Sequence, residues 1–163
     1  MGTEIAVYPG TFDPVTYGHI DIIKRASKIF GKVIVAVAHN TAKGTLFSVT
    51  ERTAMLRDAI LDMQNVTVDD FDGLVVDYVK RQGSNVMIRG LRMISDFEYE
   101  FQMALTNRKL TGEIETIFMM PHEDYSYVSS KLIKEAAGLG ADVSVFVPAK
   151  VAKALQVKTS KEK

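Results

Sequence analysis

With 163 residues, 47% of them hydrophobic and 25% charged, the chain has apolar material for one well-buried core and no need of a second domain. Twenty basic residues balance twenty acidic ones, which excludes the overall positive field of a nucleic-acid or membrane-surface binder and leaves any anion to a local cluster. Cysteine is absent, so disulfides, thiolate metal sites and a cysteine nucleophile are excluded, and His19, His39 and His122 are too scattered for a ligand motif.

The first apolar run, residues 5–8, is short and rich in strand formers, and Pro9, Gly10 and Pro14 predict a turn directly after it. Beyond Gly18, Ile20, Ile22, Ile23, Ala26 and Ile29 fall mostly on one helical face, with Thr16 placed to cap the first turn. Strand, turn and helix start outline an anion site. The unpaired N–H groups and the helix dipole favour a phosphate, and His19 can add a hydrogen bond. Neither G-x-G-x-x-G nor G-K-[ST] occurs, which removes the dinucleotide and P-loop readings. Taken alone, Thr16-Tyr17-Gly18-His19 is most simply an ordinary helix start.

Residues 33–38, VIVAVA, are the continuous apolar run of a strand covered on both faces. A polar loop with Lys43 and Gly44 follows. Ser48-Val49-Thr50-Glu51 matches a capping box and opens a helix to about residue 63, with Ala54, Met55, Leu56, Ala59, Ile60 and Met63 as its apolar stripe. Residues 66–68 predict a third strand, 74–82 a short helix stopped by Gly83, and 85–88 a fourth strand that delivers Arg89 to its C-terminal end. Ser95-Asp96-Phe97-Glu98 predicts a cap for a helix running to about residue 110, with Phe97, Phe101, Ala104 and Leu105 spaced for burial and Glu100 in its early turns. Residues 116–120 form the expected fifth strand. Residues 125–131 lead into a helix over 132–137, a second hydroxyl-rich helix start. A short extended segment over 143–147, a basic helix over 149–157 and a frayed tail over 158–163 complete the reading.

Strands alternating with helices at this spacing predict an α/β fold: a doubly wound, five-stranded parallel sheet of Rossmann-like form with helices on both faces and C-terminal helices. Ligands of such sheets bind beyond the carboxyl ends of the strands. The turn after the first strand, the Lys43 loop, Arg89 with Arg92, and the 125–131 run all fall there. Their convergence outweighs the ordinary explanation of each.

The string Gly10-Thr11-Phe12-Asp13-Pro14 with Thr16-Tyr17-Gly18-His19 resembles the signature of the small nucleotidyltransferases, whose T/H-x-G-H segment grips nucleotide phosphates. Together with Ile88-Arg89-Gly90-Leu91-Arg92, Asp96-Phe97-Glu98-Tyr99-Glu100 and Tyr125-Ser126-Tyr127-Val128-Ser129-Ser130, the chain is similar over nearly its whole length to the bacterial phosphopantetheine adenylyltransferases. That resemblance implies one nucleotidyltransferase domain over residues 1–163. It also implies transfer of AMP from ATP to 4'-phosphopantetheine, giving dephospho-coenzyme A and pyrophosphate, with Mg2+ and in a homohexamer. By the same resemblance Thr11, Phe12, His19, Gly90, Leu91, Arg92, Glu100, Tyr125, Ser126, Tyr127, Val128, Ser129, Ser130 and Lys131 contact ATP. Thr11, Lys43, Leu74, Val75 and Arg89 hold phosphopantetheine, and His19, Lys43 and Arg92 carry the catalytic roles.

Those residue types suit the reaction. A phosphate monoester is mostly dianionic near neutral pH, its second pKa being about 6, so it attacks without a general base and the protein's task is to hold anions together. No carboxylate cluster suggests a metal cage, and Mg2+ is expected to ride on the ATP phosphates. Two departures stand out: Thr45 where many family members have proline, and Lys131 where a third serine is common. The alternatives are a nucleotidyltransferase acting on another acceptor, such as nicotinamide mononucleotide, and a non-catalytic nucleotide-binding protein of the same fold. No apolar run approaches the ~20 residues of a membrane span, the first residues lack a basic-then-apolar leader, and a cytoplasmic location is expected.

Overall fold

The run Val33-Ile34-Val35-Ala36-Val37 is buried throughout, as the core of a sheet covered on both faces must be. It belongs to β2 (Lys32–Ala38) of a computed structural model that describes residues 4–39 and 44–160. β2 pairs with β1 (Ile5–Gly10) on one side and β3 (Val66–Phe71) on the other; β4 (Val86–Gly90) and β5 (Glu115–Met119) extend the sheet beyond β1. All pairings are parallel, in the order β3-β2-β1-β4-β5. Chain order therefore runs outward from β1 in one direction through β3 and in the other through β4 and β5. The reversal opens a crevice above the carboxyl ends of β1 and β4.

Among the described residues four α-helices connect successive strands, α1 (Tyr17–Ile29), α2 (Val49–Ala59), α3 (Val75–Arg81) and α4 (Ile94–Thr111), and two more follow β5, α5 (Ser130–Gly138) and α6 (Ala149–Ser160). Alternate residues of β1 and β2 face opposite layers. Ala6, Tyr8, Val33, Val35 and Val37 pack with Ile22 and Ile23 of α1, Leu56 of α2, Ile133 of α5 and Leu155 of α6. Val7, Ile34, Ala36 and Met87 pack with Val76, Tyr78 and Val79 of α3.

The sequence-level caps hold at Thr16, which accepts from the His19 N–H, and at Ser48, whose capping box with Glu51 is complete. Gly83 and Gly112 take left-handed backbone directly after α3 and α4, where a side chain would strain the turn.

Other expectations need correction. β1 does not stop at Tyr8 but pairs with β2 through Pro9 and Gly10. Its ladder with β4 ends at Val7, so the N–H that proline lacks is not missed there, and the Pro9 carbonyl instead accepts from Arg89. β3 continues past residue 68 to Phe71 because its aspartates are matched, Asp69 by the Tyr78 hydroxyl and Asp70 by His39. α4 starts at Ile94 with Met93 in the cap position and no side-chain cap bond. Its expected buried face is outside: Phe97, Phe101 and Leu105 are each nearly half exposed, whereas Glu100 and Asn107 are buried. Residues 143–147 are not extended but form a turn, closed by the Phe146 N–H on the Val143 carbonyl; the Phe146 carbonyl then accepts the Tyr17 N–H at the start of α1. α2 ends at Ala59 rather than near residue 63, and α6 carries three residues further than expected, to Ser160.

Candidate active site

Above the carboxyl ends of β1 and β4 lies an open cleft of about 760 Å³. Its floor is the turn that follows β1. Phe12 there has φ of +50°, a left-handed conformation uncommon for a bulky residue, and its ring is buried edge-on between Tyr8 and His19 at centroid distances of 5.3 and 5.0 Å. Two buried charges hold that turn. The Asp13 carboxylate accepts the backbone N–H groups of Leu46 and Phe47, each at 2.9 Å, and the Lys134 ammonium at 2.7 Å. Arg52 of α2 is 1% exposed and donates to the carbonyls of Thr11 (2.7 Å), Ala38 (3.1 Å) and Phe47 (3.1 Å).

His19 occupies the first turn of α1 and completes its capping box. Its Nδ1 accepts the Thr16 N–H at 3.0 Å, and because an amide N–H can only donate, the ring proton belongs on Nε2. Burial, then the positive charges of Arg92 and Arg89, push its pKa down to about 3. The ring is thus a neutral N–H donor.

Arg89 leaves β4 and meets Glu100 of α4 in a two-pronged pair, Nε to Oε2 at 2.8 Å and Nη2 to Oε1 at 2.6 Å, while Nη1 donates to Pro9 at 3.0 Å. Burial works against the Arg89 charge, but the bonds to Glu100 outweigh it and the guanidinium pKa rises. Arg92 donates to Asp96 at 3.2 Å and to the Val128 carbonyl at 2.8 Å, which ties the segment after β4 to the approach to α5. Ser129 caps α5, and the Ser130 hydroxyl donates to the Pro14 carbonyl at 2.7 Å.

Of the residues singled out from sequence, Thr11, Phe12, His19, Leu74, Val75, Arg89, Gly90, Arg92, Glu100, Val128, Ser129 and Ser130 line this one cleft. Leu91, Tyr125, Ser126, Tyr127 and Lys131 are not among its lining residues. Tyr125 packs instead against Tyr17 and His122, and Lys131 is exposed on α5. Lys43 lies outside the described residues. Sequence reasoning missed Asp13, Arg52 and Lys134. Asp13 stood in the quoted motif and could have been found there, whereas Arg52 sat unremarked within an amphipathic helix.

A parallel sheet with a switch-point cleft, a neutral histidine on a helix start and two arginines lining the same cleft suit the phosphates of a nucleotide. A family model described as cytidylyltransferase-like matches residues 7–136. Proteins named phosphopantetheine adenylyltransferase are similar over nearly the full length. That of Caldanaerobacter subterraneus subsp. tengcongensis is 55% identical over 97% of this chain and 99% of its own, and that of Geotalea daltonii 53% identical over 97% and 98%. The chain belongs to the phosphopantetheine adenylyltransferase family. Solved structures share the fold at low identity. The nicotinic acid mononucleotide adenylyltransferase of Plasmodium falciparum complexed with NaAD superposes with a TM-score of 0.69 at 14% identity, covering 96% of this chain and 95% of that one. A lipopolysaccharide core biosynthesis protein from Thermoplasma volcanium reaches 0.55 at 19%, covering 75% and 100%.

Proposed function

We propose that this chain reversibly transfers AMP from ATP to 4'-phosphopantetheine, giving dephospho-coenzyme A and pyrophosphate. Identity of 51–55% over at least 96% of the chain to relatives bearing that enzyme's name carries the choice of acceptor. The structural neighbours of other specificity are alike in fold alone.

In the step we propose, an oxygen of the acceptor phosphate attacks the α-phosphorus of ATP, and the bond from that phosphorus to the bridging oxygen breaks, its electron pair leaving with pyrophosphate. The dianion needs no base. Neutral His19 donates its Nε2–H to a non-bridging α-phosphate oxygen, a contact that strengthens as charge builds there. Arg92 and Lys43 offset charge between the two substrates. Thr11 and Arg89 take the acceptor, with Leu74 and Val75 on its pantetheine arm. Glu100 faces ATP and also holds the Arg89 fork in the cleft wall. Gly90, with Val128, Ser129 and Ser130, contributes the surface for ATP, and Phe12 supports the His19 ring from beneath. Leu91, Tyr125, Ser126, Tyr127 and Lys131 flank that surface.

Mg2+ belongs to this reading as part of the ATP substrate. Among the described residues no group of three acidic or histidine side chains could hold it, and the cleft carboxylates Glu100, Asp96 and Asp13 are each committed to a cation. In this reading the ion enters with the nucleotide. A homohexamer and a cytoplasmic location complete the reading. The apolar side of α4 offers such an assembly a surface to bury, and no described helix is long and apolar enough to cross a membrane. The test is pyrophosphate release from ATP with phosphopantetheine and nicotinamide mononucleotide in parallel. Release with phosphopantetheine alone is expected, and release with another acceptor only overturns the assignment.

A further inference from the structure

Three stretches of cleft wall come from different parts of the chain: Thr11 after β1, Ala38 at the end of β2, and Gly44 with Thr45 before α2. No strand ladder joins them at this height, since β1 pairing ends at Gly10 and residues 44–47 belong to no strand. What joins them is side-chain charge. The Arg52 guanidinium takes the carbonyls of Thr11, Ala38 and Phe47, and the Asp13 carboxylate takes the N–H groups of Leu46 and Phe47. Both groups are almost wholly buried, at 1% and 3% exposure, a placement that is costly for a charge and is sustained only where its hydrogen bonds are made. They also bracket Phe12, whose left-handed backbone persists only if its neighbours are fixed.

We propose that Asp13 and Arg52 are positioning residues that hold the acceptor side of the cleft, a reading that rests on the assignment of Thr11 and its surroundings to phosphopantetheine. On the other side of the cleft Asp13 accepts from Lys134, which is itself a cleft residue. Loss of the Asp13 charge loosens residues 44–47 and releases an ammonium toward the ATP side. The two substrates must therefore respond unequally.

The experiment uses Asp13→Asn and Arg52→Lys in the full chain, with steady-state kinetics for both substrates and amide exchange at Leu46 and Phe47. The expected result for D13N is at least a tenfold rise in KM for phosphopantetheine, KM for ATP unchanged within threefold or lowered, and at least tenfold faster exchange at Leu46 and Phe47 with the sheet amides unchanged. R52K is expected to move phosphopantetheine KM in the same direction. If R52K does not fold, D13N, which keeps the shape and one acceptor, decides alone. Equal losses for both substrates, or unaltered exchange at Leu46 and Phe47 in folded D13N, would overturn the proposal. Failure of the wild-type chain to use phosphopantetheine would instead overturn the functional assignment, and the exchange measurement would still decide whether Asp13 holds this wall.

Discussion

At the site the most informative residue is His19, because its hydrogen bond, tautomer and charge state are fixed by one another. Truncation to alanine is expected to lower kcat at least about a hundredfold with little change in ATP binding, since a donor that acts on developing charge contributes mainly to the transition state. Weaker ATP binding at normal kcat would make it a binding residue only. The depressed pKa has a definite sign. Between about 3 and the ordinary 6.5 the unfolded chain takes a proton that the folded chain refuses, so the stability His19 contributes is complete above 6.5 and is lost as pH falls toward 3. Nitrogen-15 spectra of the ring should show the Nε2–H tautomer unchanged from pH 7 to about pH 4.5; a protonated ring near pH 6 would refute the burial argument. Direct displacement also predicts inversion at an α-phosphorus made chiral with sulfur, and net retention would instead demand an adenylated enzyme. His19, Arg89 and Arg92 were legible in sequence because their motif strings are short and local. Asp13 stood in the same motif and could have been singled out, but its partners, like those of Arg52, could not, because both bond to peptide groups, which no residue identity reveals, up to 41 positions away in sequence.

At the scale of elements, strands and caps were legible where local chemistry decides, and failed where a distant partner does. β2 announces itself by five buried apolar residues, and Ser48 with Glu51 by a capping box. By contrast, residues 143–147 alternate like a strand, yet no sheet edge receives them and they turn to supply a carbonyl to the Tyr17 N–H. The placement of Arg89 at the end of β4 carries its own prediction. A guanidinium held in the cleft wall reads a phosphate and gains nothing from a neutral arm, so Arg89→Ala should weaken phosphopantetheine at least tenfold and leave unphosphorylated pantetheine unchanged. Equal loss for both would remove Arg89 from the phosphate.

For the molecule as a whole, α4 carries apolar side chains that the described residues leave exposed. Ile94, Phe97, Phe101, Leu105 and Leu110 are all 46% or more exposed along one helix, an arrangement that points to association. Phe101→Asp is expected to shift the sedimenting species of the wild-type chain to smaller size without loss of fold. A wild-type chain that sediments as a monomer would rule out the homohexamer.

The paired charges of the cleft bear on how a substrate finds it. Arg89, Arg92 and Lys134 each already face a carboxylate, and the chain as a whole carries no net charge. At a distance beyond about 8 Å, the screening length in physiological salt, such pairs cancel, so these described cations cast little field into solution. An arriving phosphate therefore meets these cations at contact, as an added acceptor beside carboxylates that keep them in place, and is not drawn in from afar. The rates at which nucleotide and acceptor enter should therefore hardly depend on ionic strength.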